Sequence, residues 1–500
     1  MEVLVMGSSG YIGSRLVARL LQDGHRVSAA SRSPDGLENM PWSGHGSVEP
    51  VLADVLDGPS LERAFEGVEV VYYLVHSMVS HPRRFAEVDR EGARRTSKAA
   101  AEAGVERIIY LGGLSEGSGF GSEHLRSRDE VADILGEGNV PVTTLRAAMV
   151  MGSGSASFEI MRYLVDRLPV MTTPKWVQSQ TQPIAIRDVL AYLTGVLDVP
   201  ETLGKSFDVG GPEVLNYLAL MDIYTEEAGM RRRMIIQLPF LSPKLSSYWI
   251  GLVTPVPAAM ARRLTEGLSS RSVCKDMSIR DLIPMELTDS VTAIRASLDP
   301  GRRLVAFDEW DTDTMVRHPE WPHPGDPPWA GGTEFTDTRR MELDKDSDSV
   351  WRPVERIGRE LSCCFPDTLW KLWRTGDRWA CDVAGRLDLG PEGGRAACAL
   401  WDVISEEEGR SLTVGIDLGP FGSGSIRYVL DGRLEDLTTV SQRVSFRPKG
   451  LAGIAYWYST LPLHLIVFDR TVRWIADATG ADITDGPHSS LSLRSGSNAR

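Results

Sequence analysis

Residues 3–24 read VLVMGSSGYIGSRLVARLLQDG. Val3–Met6 is a short apolar run rich in β-branched residues, as expected of a strand buried on both faces. The glycine-spaced turn GSSGYIG (7–13) follows directly. SRLVARLLQDG (14–24) then carries Leu16, Leu20 and Leu21 at helical spacing, and Gly24 ends the segment. RVSAASR (26–32) is a second strand candidate. Strand, glycine turn, helix and strand within one short unit predict a doubly wound, Rossmann-like parallel α/β sheet.

Those residue types suit one chemistry. Glycine tolerates the dihedrals of a tight turn, and without a side chain it lets backbone approach a pyrophosphate. The first helical turn then presents unpaired N–H groups and a positive dipole end. Gly7, Ser8, Ser9, Gly10, Tyr11, Ile12 and Gly13 are therefore the candidate dinucleotide-binding residues. An acidic residue at the end of the second strand would select a free ribose 2′-hydroxyl. Ser31, Arg32 and Ser33 stand there instead. A guanidinium suits a 2′-phosphate, so the expected cofactor is NADP, with NAD second. VLADVLD (51–57) ends a third strand and sets Asp54 and Val55 beside the adenine. VEVVYYLVHS (68–77) is a fourth, delivering Val75, His76 and Ser77 to the same edge. RIIYLGGLS (107–115) is a fifth, ending in Gly112, Gly113 and Ser115. EVDREGARRTSKAAAEAG (87–104) reads as the intervening helix with a glycine stop.

At this point the chain resembles the extended and atypical branches of the short-chain dehydrogenase/reductase superfamily. Gly7, Gly10 and Gly13 match their G-x-x-G-x-x-G turn, and Asp54–Val55 their Asp-Val pair. YYLVHSM (72–78) and HLRSR (124–128) are similar to NmrA-like and YbjT-like bacterial NAD(P)-binding proteins. The likeness continues through PVTTLRAAMVMGSGSASFE (141–159), PIAIRDVLAYL (183–193) and FDVGGPEVLNY (207–217). It implies an NAD(P)-binding unit over residues 1–300, with a substrate region at about 141–300. Active members of that superfamily use a Tyr-x-x-x-Lys pair. The aligned positions here look like His124 and Arg128, four apart on one helical face. Arg128 can hold ribose or phosphate but cannot deprotonate, and His124 is expected to exchange a proton near neutral pH. Ser115 is the candidate to polarise a carbonyl. Arg187–Asp188 is expected to be a structural ion pair.

DTDTMVRHPEWPHPGDPPWAGGTEF (311–335) is dense in Pro, Gly and Asp, so residues 301–347 read as a linker without regular core elements. His318 and His323 lack a convincing third ligand, and no metal site is expected. Beyond the linker a second unit is expected over 348–482. SVWRPVERIG (349–358) reads as a strand and CCFPDTLWKLWR (363–374) as a short helical region. Leu412, Val414, Ile416 and Leu418 alternate, SIRYVLDG (425–432) and TTVSQRVSFRPKG (438–450) continue the antiparallel pattern, and 451–478 reads as a long helix. That order, with FRPKGLAGIAYWY (446–458), resembles the α+β helix-grip fold (START-like, SRPBCC), which implies a hydrophobic small-molecule ligand. The Ser/Gly-rich tail, 483–500, is expected to be disordered.

Composition bounds the rest. The chain has 500 residues, 42% hydrophobic and 24% charged, which fits a folded rather than disordered protein. With 54 basic and 68 acidic residues the net charge is −14, which argues against nucleic acid as a partner. Five cysteines without C-x-x-C spacing, and no apolar leader after Met1, point to the cytoplasm. The apolar stretches MIIQLPFLSPKLSSYWIGLVTPVPAAMARRL (234–264), with Tyr248 and Trp249, and LAGIAYWYSTLPLHLIVF (451–468) leave two further expectations: core packing, or peripheral membrane or protein-complex contact. Two functions from different classes remain open: a reductase acting on a carbonyl, enone or quinone, and a non-catalytic NADPH sensor or accessory subunit.

Overall fold

A computed structural model describes residues 1–78, 81, 84–114, 122–173, 175–237, 253–267, 270–298, 311–359, 400–434 and 437–492. Ser115, Tyr248, Trp249, the segment 363–374 and four of the five cysteines lie outside these residues. The first sheet is built from β1 (Glu2–Met6), β2 (Arg26–Ser31), β3 (Val48–Leu52), β4 (Val70–Tyr73), β5 (Arg107–Gly113), β6 (Val142–Ala147) and β7 (Ser206–Val209). All pair in parallel, in the order β7-β6-β5-β4-β1-β2-β3. The chain winds one way from β1 through β3 and the other way from β4 through β7, so the topological switch falls between β1 and β4.

Strand period explains why these short runs are apolar throughout. In β1, Val3 and Val5 point to one face and Leu4 and Met6 to the other. The first pair packs with Leu16, Leu20 and Leu21 of α1 (Tyr11–Gln22) and with Val189 and Leu193 of a later helix (Ile186–Gly195). The second pair packs with Leu61 of a short helix (Gly58–Ala64), with Ala93 and Ala100 of a longer one (Phe85–Ala103) and with Val131 and Leu135 of a third (Glu123–Gly136). In chain order these are α2 (58–64), α3 (85–103), α4 (123–136) and, on the first face, α5 (186–195). Gly24 (φ +85°) and Gly104 (φ +74°) adopt the left-handed backbone that ends α1 and α3.

The second sheet is antiparallel. Its strands are β8 (Phe335–Leu343), β9 (Leu400–Glu407), β10 (Ser411–Asp417), β11 (Gly422–Leu434), β12 (Leu437–Pro448) and β13 (Ile483–Ser492), in the order β9-β10-β11-β12-β8-β13. Inward residues alternate, as in Leu412, Val414 and Ile416. They pack against α6 (Ser347–Arg359) and the long α7 (Gly450–Thr479). By length and composition α7 could cross a membrane, yet its inner residues Val467, Phe468, Val472 and Ile475 belong to this core.

Three expectations are corrected. Residues 349–358 are helical, because Val350, Trp351, Val354 and Ile357 recur at helical spacing and all four face the sheet core. Residues 483–492 form β13, since β8 offers an unpaired edge and a Ser-rich segment needs only its main chain to fill it. From residue 311 on, the supposed linker is ordered, while 301–310 lie outside the described residues: Thr312–Arg317 is helical, 335–343 is β8, and 318–332 is a strap fastened to the first domain.

The fastening starts at Arg15 on α1, whose side chain is buried. Nε donates to the Pro319 carbonyl at 2.7 Å, Nη2 to that of Trp321 at 2.6 Å, and both Nη atoms grip Asp326 at 2.8 and 2.9 Å. Arg187 pairs not with Asp188 but with Glu320 of the strap, while Asp188 accepts from Thr288 at 2.8 and 3.0 Å. Glu159 accepts from the Gly331 amide at 2.8 Å, and the Tyr163 hydroxyl donates to the Trp329 carbonyl at 3.0 Å. His323 is buried with Nε2 3.1 Å from the His318 carbonyl, so it serves the strap, and no metal cluster occurs among the described residues. Removing one member of a buried ion pair leaves its partner uncompensated and costs about 3–5 kcal/mol. Asp326→Ala should lower unfolding stability by that amount in urea titration; an unchanged midpoint would show that the strap is not held through Arg15.

Candidate functional site

The glycine turn joins β1 to α1 at the switch point. Gly7 has φ +86°, and a Cβ there would lie 3.0 Å from the Leu74 carbonyl after β4. A Cβ on Gly13 would fall 2.1 Å from the Gly7 carbonyl oxygen, so only glycine lets α1 start this close to the turn. The Gly10 amide donates to Gly7 and the Ser14 amide to Gly10, at 3.0 and 2.9 Å. Tyr11, Ile12 and Gly13, which form the first helical turn, line a cleft of about 430 Å³ together with Gly7 and Gly10. First-turn amides lack a carbonyl four residues back, which leaves donors for an anion. The volume falls within the range of small-molecule sites, about 300–1,000 Å³.

His76, His124 and Arg128 line the same cleft. Gly113 at the end of β5 makes room for them: a Cβ there would stand 2.8 Å from Leu125 and 3.2 Å from Arg128. His124 is buried, with Nδ1 2.7 Å from the Ser122 hydroxyl and its ring against Gly267. Burial, then the Arg128 and Arg263 charges, pushes its pKa down to about 3. The expected proton exchange near neutral pH is therefore corrected: His124 is a neutral hydrogen-bonding group there. His76 is open to the cleft, and its pKa also lies below the ordinary imidazole value through the cleft's enclosure and Arg128. The rest of the lining is largely apolar, with Met149, Tyr217, Met260, Leu264, Pro327 and Trp329.

The remaining described candidates fall outside the cleft lining, and several spend their side chains on the fold. The Ser8 hydroxyl is buried and donates to the Ala30 carbonyl at 2.8 Å, tying the turn to β2. Ser9 is exposed on the turn. Val55 sits in the core against Gly92, and Asp54 accepts from the Leu56 amide at 2.9 Å. Val75 is partly buried, and the Ser77 amide donates to Asp89 at 2.8 Å. Arg32 is exposed just past β2, at the same sheet edge as the turn. Tyr11 offers its ring to the cleft; its hydroxyl is buried against Gly152 without a hydrogen-bond partner among the described residues, and burial raises its pKa. Sequence reasoning missed Trp329 and Pro327, which sit in a segment that reads as linker. It also missed Asp89, whose carboxylate accepts from both the Ser77 amide and the Ser127 hydroxyl. The signal for Asp89 was weak, one acid inside a helix of many charges.

Comparison with known proteins finds a match within each of the two units. A family described as NAD(P)H-binding matches residues 7–150, and a family of unknown function, DUF2867, matches 329–471. Cinnamoyl-CoA reductase 1 of rice is 36% identical over 138 residues, 26% of this chain and 39% of that protein. The chain spans only about a third of the length of such reductase relatives. The mitochondrial NADH dehydrogenase [ubiquinone] 1 alpha subcomplex subunit 9 of Arabidopsis thaliana is 23% identical over 299 residues, 57% of this chain and 74% of that protein. Among solved structures, an NADPH-dependent quinone oxidoreductase of Escherichia coli is 19% identical, with TM-score 0.49 over 60% of this chain and all of the other. At that score it adds nothing to what strand order shows. The N-terminal region is an NAD(P)H-binding Rossmann-like domain, and the C-terminal one an antiparallel-sheet DUF2867 domain.

The depressed His124 pKa has a consequence for stability. The unfolded ring titrates near 6.5. Above that pH neither state binds the proton; below it the unfolded chain takes up a proton that the fold refuses, down to about 3. Stability therefore falls as pH drops through this window, by about 1.4 kcal/mol per pH unit from this ring. In urea unfolding, His124→Asn should flatten the slope below about pH 6.5 by that amount; an equal slope would place the imidazole in an ordinary environment.

Proposed function

We propose that the chain is an NADP-dependent reductase of the atypical, NmrA-like kind, acting on a carbonyl, enone or quinone of a hydrophobic molecule. The observation that carries this reading is a cleft lined both by the glycine turn, His76, His124 and Arg128 and by apolar Met149, Met260 and Trp329. The residues present fit a dinucleotide, because side chains at Gly7 and Gly13 would collide with backbone where the turn must close and the first-turn residues Tyr11, Ile12 and Gly13 line the cleft. When bound, NADPH supplies the hydride. Gly7, Gly10 and Gly13 leave room for its pyrophosphate, Arg32 pairs with the 2′-phosphate, and Arg128 holds the nicotinamide ribose. Neutral His124, its ring held by the Ser122 hydroxyl and the Arg263 backbone, fixes the cleft wall beside the carbonyl, and Ser115 is the polarising group. The apolar wall excludes water from the reacting carbon. The DUF2867 domain, read as a helix-grip fold, binds or presents the hydrophobic molecule.

A second reading has its own support. His124 and Arg128 stand where a Tyr-x-x-x-Lys pair is expected, and neither supplies a readily exchanged proton near neutral pH. The likeness to the complex I subunit extends over more of the chain than the reductase likeness. In this reading the site senses NADPH, and occupancy alters contacts with a protein complex.

Titration of the purified chain with NADPH and NADH tests the cofactor. NADPH should bind more tightly, and Arg32→Ala should weaken NADPH by about tenfold or more while sparing NADH, the loss expected for a charged hydrogen bond. Tighter NADH binding would remove Arg32 from the site. NADPH oxidation with quinones, enones and aldehydes separates the two functions: turnover that drops in His124→Ala supports the reductase, and binding without turnover supports the sensor.

A further inference from the structure

Helix α3 is a charged helix with one acid turned inward. Its buried face carries Phe85, Val88, Asp89, Gly92, Ala93 and Thr96, whereas Glu87, Glu91 and Glu102 lie outside and pair with Arg84, Arg95 and Lys98. Asp89 is 8% exposed, and no lysine or arginine pairs with it among the described residues. A carboxylate taken from water without a counter-ion is costly unless hydrogen bonds hold it. Core packing alone gives no reason for an acid at this position.

The reason lies in what the carboxylate holds. Oδ1 accepts from the Ser77 amide at 2.8 Å and Oδ2 from the Ser127 hydroxyl at 3.4 Å, and both serines are buried. The Ser77 nitrogen belongs to the planar peptide that joins it to His76. Pinning that plane at its N–H restricts ψ of His76, and with it the direction in which the imidazole leaves the loop after β4. Ser127 sits on α4, one residue before Arg128 and three after His124. The carboxylate therefore ties the loop that presents His76 to the helix that presents His124 and Arg128, all of which line the cleft. The bond to Ser77 has the ordinary length of a charge-assisted contact and that to Ser127 is longer, so the His76 side carries more of the effect. These three groups form one cluster: after burial, the Arg128 charge is the largest influence lowering the pKa of both imidazoles. A second bond braces α4 at the same point, from the Tyr110 hydroxyl of β5 to the Arg128 carbonyl at 3.1 Å. Burial raises the pKa of that hydroxyl, Arg128 draws it down and Asp89 pushes it up, so both charges are felt at one phenol.

We propose that Asp89 is a positioning residue for the nicotinamide half of the cofactor, acting through the His76–Ser77 peptide and through α4 and touching no reacting atom. The assignment rests on the reading that this cleft binds NADPH with Arg128 at the nicotinamide ribose. Binding of NADPH is compared with binding of 2′,5′-ADP, which has the adenosine and its phosphates but no nicotinamide ribose. Asp89→Ala leaves the Ser77 amide without its acceptor and should weaken NADPH by about tenfold, the scale of one buried hydrogen bond, while 2′,5′-ADP binds as before. Asp89→Asn keeps an oxygen for the Ser77 amide in the same shape and should stay within about threefold of wild type for both ligands. Asp89→Glu keeps the charge but moves the oxygens outward by one methylene; it should show the same split as Ala, and it carries the test if the Ala variant does not fold. NADPH binding untouched in Ala and Glu, or an Asn variant as weak as either, would overturn the assignment. So would a loss shared equally by 2′,5′-ADP in a Glu variant with a wild-type circular dichroism spectrum. A wild-type chain that binds neither ligand would overturn the cofactor reading and this assignment with it, whereas wild-type binding of both with no split in the variants overturns the assignment alone.

Discussion

The buried Arg15 guanidinium is the constraint on which the arrangement of this molecule depends. It leaves α1 two residues after Gly13 of the glycine turn and closes on Asp326 and on strap carbonyls some three hundred residues away. Arg has five N–H donors in a rigid fork and no way to shed its charge. Once placed in the interior it demands a carboxylate and several carbonyls in fixed directions. The strap supplies them. A buried pair of this kind adds little net stability compared with an apolar core, but it specifies which segment lies where.

That placement links the two domains to one site. Arg15 also lies 4.2 Å from the centre of the Tyr11 ring, which lines the cleft. Immediately after Asp326 the strap contributes Pro327 and Trp329 to the cleft lining, and it then runs on into β8, an interior strand of the second sheet. The cleft is thus lined both by the first βα unit and by the lead-in to the DUF2867 domain. Glu159, Arg162 and Ser153 repeat the same device next to it: buried charges hold the Gly331 amide and the loop after β6.

Much of the first domain was legible because its rules are local. The β1–α1 turn needs glycines where Gly7 and Gly13 stand, and a strand covered on both faces must be apolar at every position, as Val3–Met6 is. The alternating Leu412, Val414 and Ile416 were legible for the same reason. Residues 349–358 were not, since a short apolar run with a proline fits either period until its burial is known. The strap was least legible: Pro, Gly and Asp density describes a segment that forms no helix or strand, and says nothing about whether charges elsewhere bind it.

The sequence by itself determined the nucleotide turn, the parallel sheet and the basic residue at the end of β2, because each rests on residues close together in the chain. The tertiary structure decided what His124 is, by enclosing its ring against Gly267 beside Arg128 and Arg263, and so withdrawing its proton. It also decided that Trp329 belongs to the cleft and that Ser8, Val55 and Ser77 turn into the fold. The physical reason is common to all of these. Burial and the charges around a group, which set its protonation and its partners, come from segments far apart in sequence.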